Sequence, residues 1–188
     1  SPSRAAMMTG RYQQRFGYEV QIMNRYPRNL LEYLGARYLV DLGNWEPVDL
    51  MRFPRQTDIE KQGLPPSEIT LGELLQAAGY RTGLLGKWHL GNHAPFHPRR
   101  RGFDYVFGFY EAFSLHAPSD TPGIVEHRLG DFDDNHQWRQ ERTGPSALRR
   151  NGAVVEDAGY LTFTLAEECN AFMEQAGDKP FALVVNFS

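Results

Sequence analysis

One cysteine, Cys169, stands in a chain of 188 residues, which excludes an internal disulfide framework and a thiolate metal cluster. That single thiol suits cytosol and export alike. No stretch approaches the roughly 20 consecutive apolar residues of a membrane span, and none has the pattern of a signal peptide. Neither sign of charge dominates: 20 Lys and Arg against 23 Asp and Glu leave a net charge of -3. A nucleic-acid-binding face needs clustered basic surface, so that class is excluded. Aromatic residues are plentiful at 13%, which predicts a dense core rather than disorder.

What is present begins at once. Ser1-Pro2-Ser3-Arg4-Ala5-Ala6-Met7-Met8-Thr9-Gly10 predicts a short helix, because proline suits the first helical position and glycine supplies a left-handed cap at the end. The free NH groups and positive dipole end of such a helix can hold an anion, and Arg4 adds a permanent cation one turn in. The alternative is that Ser1 and Ser3 cap a surface helix while Arg4 is solvated.

Residues 11–34 show no clear period and predict irregular structure, and residues 35–66 are rich in glycine and proline, which fits an excursion or hairpin better than a helix. Order returns with the capping box Thr70-Leu71-Gly72-Glu73, after which Leu71, Leu74, Leu75 and Ala78 fall on one helical face. A strand from Tyr80 to Gly86 follows and runs into Lys87-Trp88-His89-Leu90-Gly91. If the chain stays extended there, Lys87 and His89 point to one side about 7 Å apart and could grip one anion, with Trp88 on the other side. An ordinary strand-end lysine and a structural histidine are the competing reading.

Arg99, Arg100 and Arg101 predict a solvated or locally paired surface. Tyr105 to Tyr110 is a strand interrupted by Gly108. Residues 114–152 form a polar region with His116, His127, His136 and the acidic cluster Asp131, Asp133 and Asp134, which lacks EF-hand spacing and reads as a solvated loop. A long helix is predicted from Val155 to Ala176. Its apolar stripe is Ala158, Leu161, Leu165, Cys169, Phe172, Met173 and Ala176, with Glu167, Glu168, Asn170, Glu174 and Gln175 away from it. Cys169 therefore reads as a buried structural thiol. The last run, Pro180 to Ser188, has the composition of a buried strand. Two helix-to-strand units predict an α/β fold with a largely parallel sheet.

Two motifs gain meaning together. Ser1-Pro2-Ser3-Arg4 followed by Met8-Thr9-Gly10-Arg11 resembles the first signature of the sulfatase family, and Gly79 to Gly91 resembles the second nearly residue for residue. Arg101-Gly102-Phe103-Asp104, Phe107-Gly108-Phe109 and Lys179-Pro180-Phe181 extend the likeness over most of the chain. The resemblance implies an alkaline-phosphatase-like fold, a largely parallel sheet with helices on both faces. Residues 1–188 would form the internal part of a single catalytic domain whose metal-binding N-terminal and C-terminal segments lie outside.

The family pattern sets the nucleophile two places before the proline, so Ser1 is the variable position and the nucleophile would immediately precede it. In sulfatases that residue is a cysteine, or in some members a serine, converted to formylglycine by a maturation enzyme; its hydrate attacks sulfur with one hydroxyl and ejects sulfate with the other. The resemblance assigns Arg4 to the aldehyde hydrate, Lys87 to a bridge between sulfate and nucleophile, and His89 to the second hydroxyl, with Ser3 supporting the turn. It implies calcium, with every ligand outside this chain. Tyr110 to His116 departs from the family's glycine-rich stretch, and His116 is a candidate substrate-binding residue by a two-residue shift. The implied activity is hydrolysis of a sulfate ester, with a carbohydrate as the expected substrate and a periplasmic, secreted or lysosomal setting. Rival readings are a phosphonate monoester hydrolase or phosphodiesterase of the same superfamily, and an inactive glycan-binding relative.

Overall fold

The computed structural model describes residues 1–19, 62–111, 114–118, 121–123, 142, 144–156 and 159–187, together with 30–31, 34 and 38–39. His127, His136 and the acidic cluster at 131–134 fall outside the described residues, as does Ala158. Leu30, Leu31 and Leu34, in the stretch read as irregular, are helical, as is Tyr38 in the stretch read as an excursion or hairpin.

Helix α1, Pro2–Thr9, forms as its punctuation predicts, with proline in its first turn and Gly10 in the left-handed cap, whose NH donates to the Ala6 carbonyl. Helix α2, Leu71–Ala77, starts at a complete capping box: the Thr70 hydroxyl accepts from the Glu73 NH, and the Glu73 carboxylate accepts from the Thr70 NH. Strand β1, Arg81–Lys87, follows directly. Strand β2, Tyr105–Phe109, the short pair β3, Arg149–Arg150, and β4, Ala153–Val154, helix α3, Leu161–Ala176, and strand β5, Phe181–Asn186, complete the order.

The sheet runs β4-β3-β2-β1-β5. Its three long strands are parallel, and only the short β3 and β4 turn back antiparallel. Register explains the two cores. Leu84 lies beside Val106 and Val184, and this row faces α1, where Ala5 and Met8 pack with Trp88, Leu90 and Phe103. Leu85 lies beside Phe107 and Val185, and that row faces Leu161 and Leu165 of α3. Helices thus cover both faces, as an α/β sheet of this kind requires.

Several expectations are corrected. Helix α3 begins at Leu161, not Val155, because Val155 donates to the Leu148 carbonyl and packs as loop on the second core. Glu168, read as lying off the buried stripe, is 8% exposed; it accepts from the Tyr105 hydroxyl and pairs with Arg150, tying α3 to the sheet. Met173 is exposed, and Cys169 is half-buried against the second core. Burial, with the nearby Glu168 carboxylate, pushes its thiol pKa up.

In α2 the predicted apolar face is not the buried one. The helix packs through Gly72 onto the Arg101 carbonyl and the Phe103 ring, which turns Leu74 outward at 61% exposure. Arg101 leaves the predicted solvated run altogether: at 2% exposure it donates to the carbonyls of Leu64, Pro65 and Glu68. Strand β5 is half-buried rather than fully buried, because among the described strands it has β1 on one side only.

Two glycines set how closely the strands can meet at their carboxyl ends. Gly86 has φ of 91° and Gly108 φ of 152°. A Cβ on Gly86 would overlap the Asn186 carbonyl oxygen, and one on Gly108 would overlap that of Gly86. Both obstacles are backbone, which cannot swing aside as a side chain can. Gly86→Ala should therefore cost about 3 kcal/mol or more of stability, read as a large drop in thermal midpoint and soluble yield of the full-length protein.

Candidate active site

The carboxyl ends of β1, β2 and β5 and the start of α1 meet at one place, the expected position for a site in an open parallel sheet. At its centre is the Lys87 carbonyl, which accepts from the Arg4 guanidinium at 3.1 Å and from the Asn186 side-chain amide at 3.1 Å. Arg4 is half-buried and burial lowers its pKa, so it is not the solvated cation of the capping alternative. Ser1 occupies the N-cap without a side-chain capping bond, and Ser3 is exposed on the first turn. The NH groups of that turn have no partner within the helix, as at any helix start.

Lys87 stands next to this arginine. Burial lowers its ammonium pKa, the Arg4 charge lowers it further, and the Glu111 carboxylate works in the opposite direction. Two cations pressed together and partly removed from water favour an anion between or beside them.

His89 does not reach the site by strand alternation. The strand ends at Lys87, and His89 turns into the left-handed region with φ of 53°. Trp88 is thereby laid into the first core, its indole NH donating to the Phe96 carbonyl at 2.8 Å. The ladder to the β2 side nevertheless continues through the turn: Trp88 NH donates to the Phe109 carbonyl at 2.9 Å and His89 NH to the Tyr110 carbonyl at 3.1 Å. The imidazole is 2% exposed and its Nε2 lies 3.9 Å from Oε1 of Glu111.

Glu111 is the residue that sequence reasoning missed. It is 4% exposed, and its Oε2 accepts from the Asn92 amide at 3.1 Å. The signal available was a carboxylate following a fully apolar strand end, where an ionised group needs partners. Asn186 was missed as well, since it reads as one more residue of an apolar strand.

Arg4, Lys87 and His89 are thus brought to one edge of the sheet. His116 is placed at the head of α3, where its ring lies against Tyr160 at 5.6 Å and its carbonyl accepts from the NH of Leu161 and from Arg142. Arg11, part of the first motif, pairs with Glu68 at 2.6 Å and fixes the chain that leaves α1. Among the described residues no group of three or more His, Cys, Asp or Glu side chains could hold a metal ion.

Comparison with known proteins bears on this geometry. The family model described as Sulfatase matches residues 1–188. Arylsulfatase G of Homo sapiens is 56% identical over 134 residues, 65% of this chain and 25% of its own length. N-acetylgalactosamine-6-sulfatase of Canis lupus familiaris is 37% identical over 186 residues, 97% of this chain and 29% of its own. The chain spans about a quarter of the curated relatives it matches over such lengths. Among solved structures, Ps i-CgsB in complex with k-i-k-neocarrahexaose superposes with a TM-score of 0.62 at 26% identity, covering 98% of this chain and 34% of that one.

The Lys87 carbonyl has two lone pairs and two donors. Replacing one of them, Asn186→Leu, should cost about 1 kcal/mol of stability, measured by chemical denaturation of the full-length protein.

Proposed function

Since the chain belongs to the sulfatase family, we propose that the protein it forms part of is a sulfuric ester hydrolase that removes sulfate from a sulfated carbohydrate. One observation carries the reading: Arg4 and Lys87, like charges in contact with one another's field, are half-buried at the head of α1. Two half-buried cations at the start of a helix, offset in part by the Glu111 carboxylate, suit an oxyanion. The carbohydrate preference is supported by a relative named for N-acetylgalactosamine 6-sulfate and by a neighbouring structure that holds a carrahexaose.

In this proposal a formylglycine two places before Pro2, made by a maturation enzyme, supplies the attacking oxygen. Arg4 and the first-turn NH groups of α1 hold the oxygens of the sulfuryl group on one side. Lys87 meets them from the end of β1 and offsets the charge that grows as the ester bond breaks. His89, buried beside them, moves a proton at the nucleophile. His116, with Tyr160, would border the sugar, and Ser3 would support the turn. The described residues do not fit calcium, since no cluster of metal-ligating side chains occurs among them. Its ligands are proposed to lie outside this chain, in a domain of which residues 1–188 are an internal part. No helix among the described residues is long and apolar enough to cross a membrane, and an exported or lysosomal setting follows from the family likeness alone.

The decisive experiment uses the full-length protein, assayed in parallel on a sulfated monosaccharide, an aryl sulfate and a phosphodiester. A larger kcat/KM for sulfate esters is expected; a much larger value for the phosphodiester would overturn the assignment in favour of the rival hydrolase. Intact-protein mass analysis should show the formylglycine, and a residue other than Cys or Ser at that position would indicate an inactive binder. Lys87→Ala and His89→Ala should each lower kcat roughly 100-fold or more, with the thermal midpoint close to wild type for Lys87→Ala and lowered for the buried His89.

A further inference from the structure

We infer that Glu111 is a positioning residue for His89, an inference that rests on the sulfatase reading and assigns a role to a side chain outside its signatures. The dipeptide Tyr110-Glu111 holds the backbone of the histidine with one residue and faces its ring with the other. Its Tyr110 carbonyl takes the His89 NH at 3.1 Å, and its Glu111 carboxylate faces the imidazole Nε2 at 3.9 Å. His89 needs such a grip, because a non-glycine residue in the left-handed region carries about 1–3 kcal/mol of strain and persists only where its surroundings fix it.

Glu111 is itself held. Its second oxygen accepts from Asn92 at 3.1 Å. The Asn92 carbonyl bonds the His97 ring nitrogen at 2.8 Å, and that ring packs on Tyr110 at 4.5 Å. The Arg149 guanidinium lies over the Tyr110 ring at 5.3 Å. A chain of contacts therefore runs from β3 through Tyr110 and His97 to Asn92, and ends on the carboxylate that looks at His89.

The electrostatic consequence follows from the charges that meet here. Lys87 from the end of β1, with Arg4 of α1 behind it, disfavours a proton on His89. Glu111, a buried carboxylate, favours one. At 3.9 Å from Nε2 it lies beyond hydrogen-bond distance and acts on the ring through its charge. Glu111 touches neither substrate nor nucleophile in this account; it acts through His89, and it is the counter-charge that lets two cations and an imidazole share one edge of the sheet.

The test uses the full-length protein, with histidines labelled at 13Cε1 and the His89 signal assigned by its loss in His89→Gln. In Glu111→Gln the His89 pKa should fall by about one unit, and kcat on a sulfate ester roughly 10- to 100-fold, with KM changed less than about threefold. Glu111→Asp should recover most of the pKa and of kcat. Asn92→Leu, which takes a donor off the carboxylate and leaves its charge less compensated, should shift the His89 pKa upward and by less, and serves should Glu111→Gln not fold. An unchanged His89 titration in Glu111→Gln overturns the inference. So does a loss of kcat that Glu111→Asp fails to recover while both variants lose thermal stability alike, which is the mark of a purely structural carboxylate. Absence of sulfate-ester hydrolysis in the wild-type protein defeats the functional reading instead, while the titration still decides the role of Glu111.

Discussion

The site hangs on one carbonyl. Lys87 ends β1, and its C=O would point into the gap where the parallel ladder stops, with no strand partner left to satisfy it. Arg4 from α1 and Asn186 from β5 supply the two donors, so three segments separated by 83 and 99 residues along the chain are fixed against each other by one acceptor. Because a buried carbonyl without a donor is costly, the backbone of Lys87 specifies where the guanidinium of Arg4 can stand. The lysine side chain then has its position dictated by a residue that it also repels.

The backbone near that carbonyl allows no slack. Gly86 and Gly108 bring neighbouring strands so close that no side chain fits between, and three residues after Gly86 the chain turns into a left-handed conformation at His89. Conformations of this kind are unfavourable in isolation and are tolerated where the surroundings over-determine them. Here the surroundings are Trp88, locked into the first core by its indole bond to Phe96, and the two ladder bonds that continue past the ends of β1 and β2. Rigid placement matters for a hydrolase, because preorganised charges stabilise a transition state without spending free energy on reorganisation during reaction.

What could be read from the sequence was local. Pro2 and Gly10 marked α1, the capping box at Thr70 and Glu73 marked α2, and the short run from Tyr80 to Gly86 after the glycine turn marked β1, each because its signal lies within a few residues. Arg4, Lys87 and His89 were legible as candidates through two short motifs. Illegible were the features decided at long range. Leu74 looked like core until α2 packed by its Gly72 side. Arg101 looked like surface until three carbonyls from 64–68 surrounded it. Glu168 looked like the polar face of a helix until Tyr105 and Arg150 from the sheet met it. Glu111 carried no motif, and only the fold places it beside a histidine 22 residues earlier.

Arg101, Glu168 and Glu111 share a cause: each is a charged side chain that a local reading assigns to water and the fold assigns to a partner. Arg101 neutralises none of the site's charge, but it holds the 64–68 segment, whose Glu68 pairs with Arg11 and so fixes the exit from α1. Glu168 fastens α3 to β2 and β3, the face opposite α1. Glu111 acts at the junction itself. Burying an ion is unfavourable unless its geometry is satisfied on every side, so each of these ions fixes its neighbours more sharply than an apolar residue of equal size, which would tolerate small displacements. The two cores supply the free energy that folds the sheet; the buried ions set where its carboxyl edge places Arg4, Lys87 and His89.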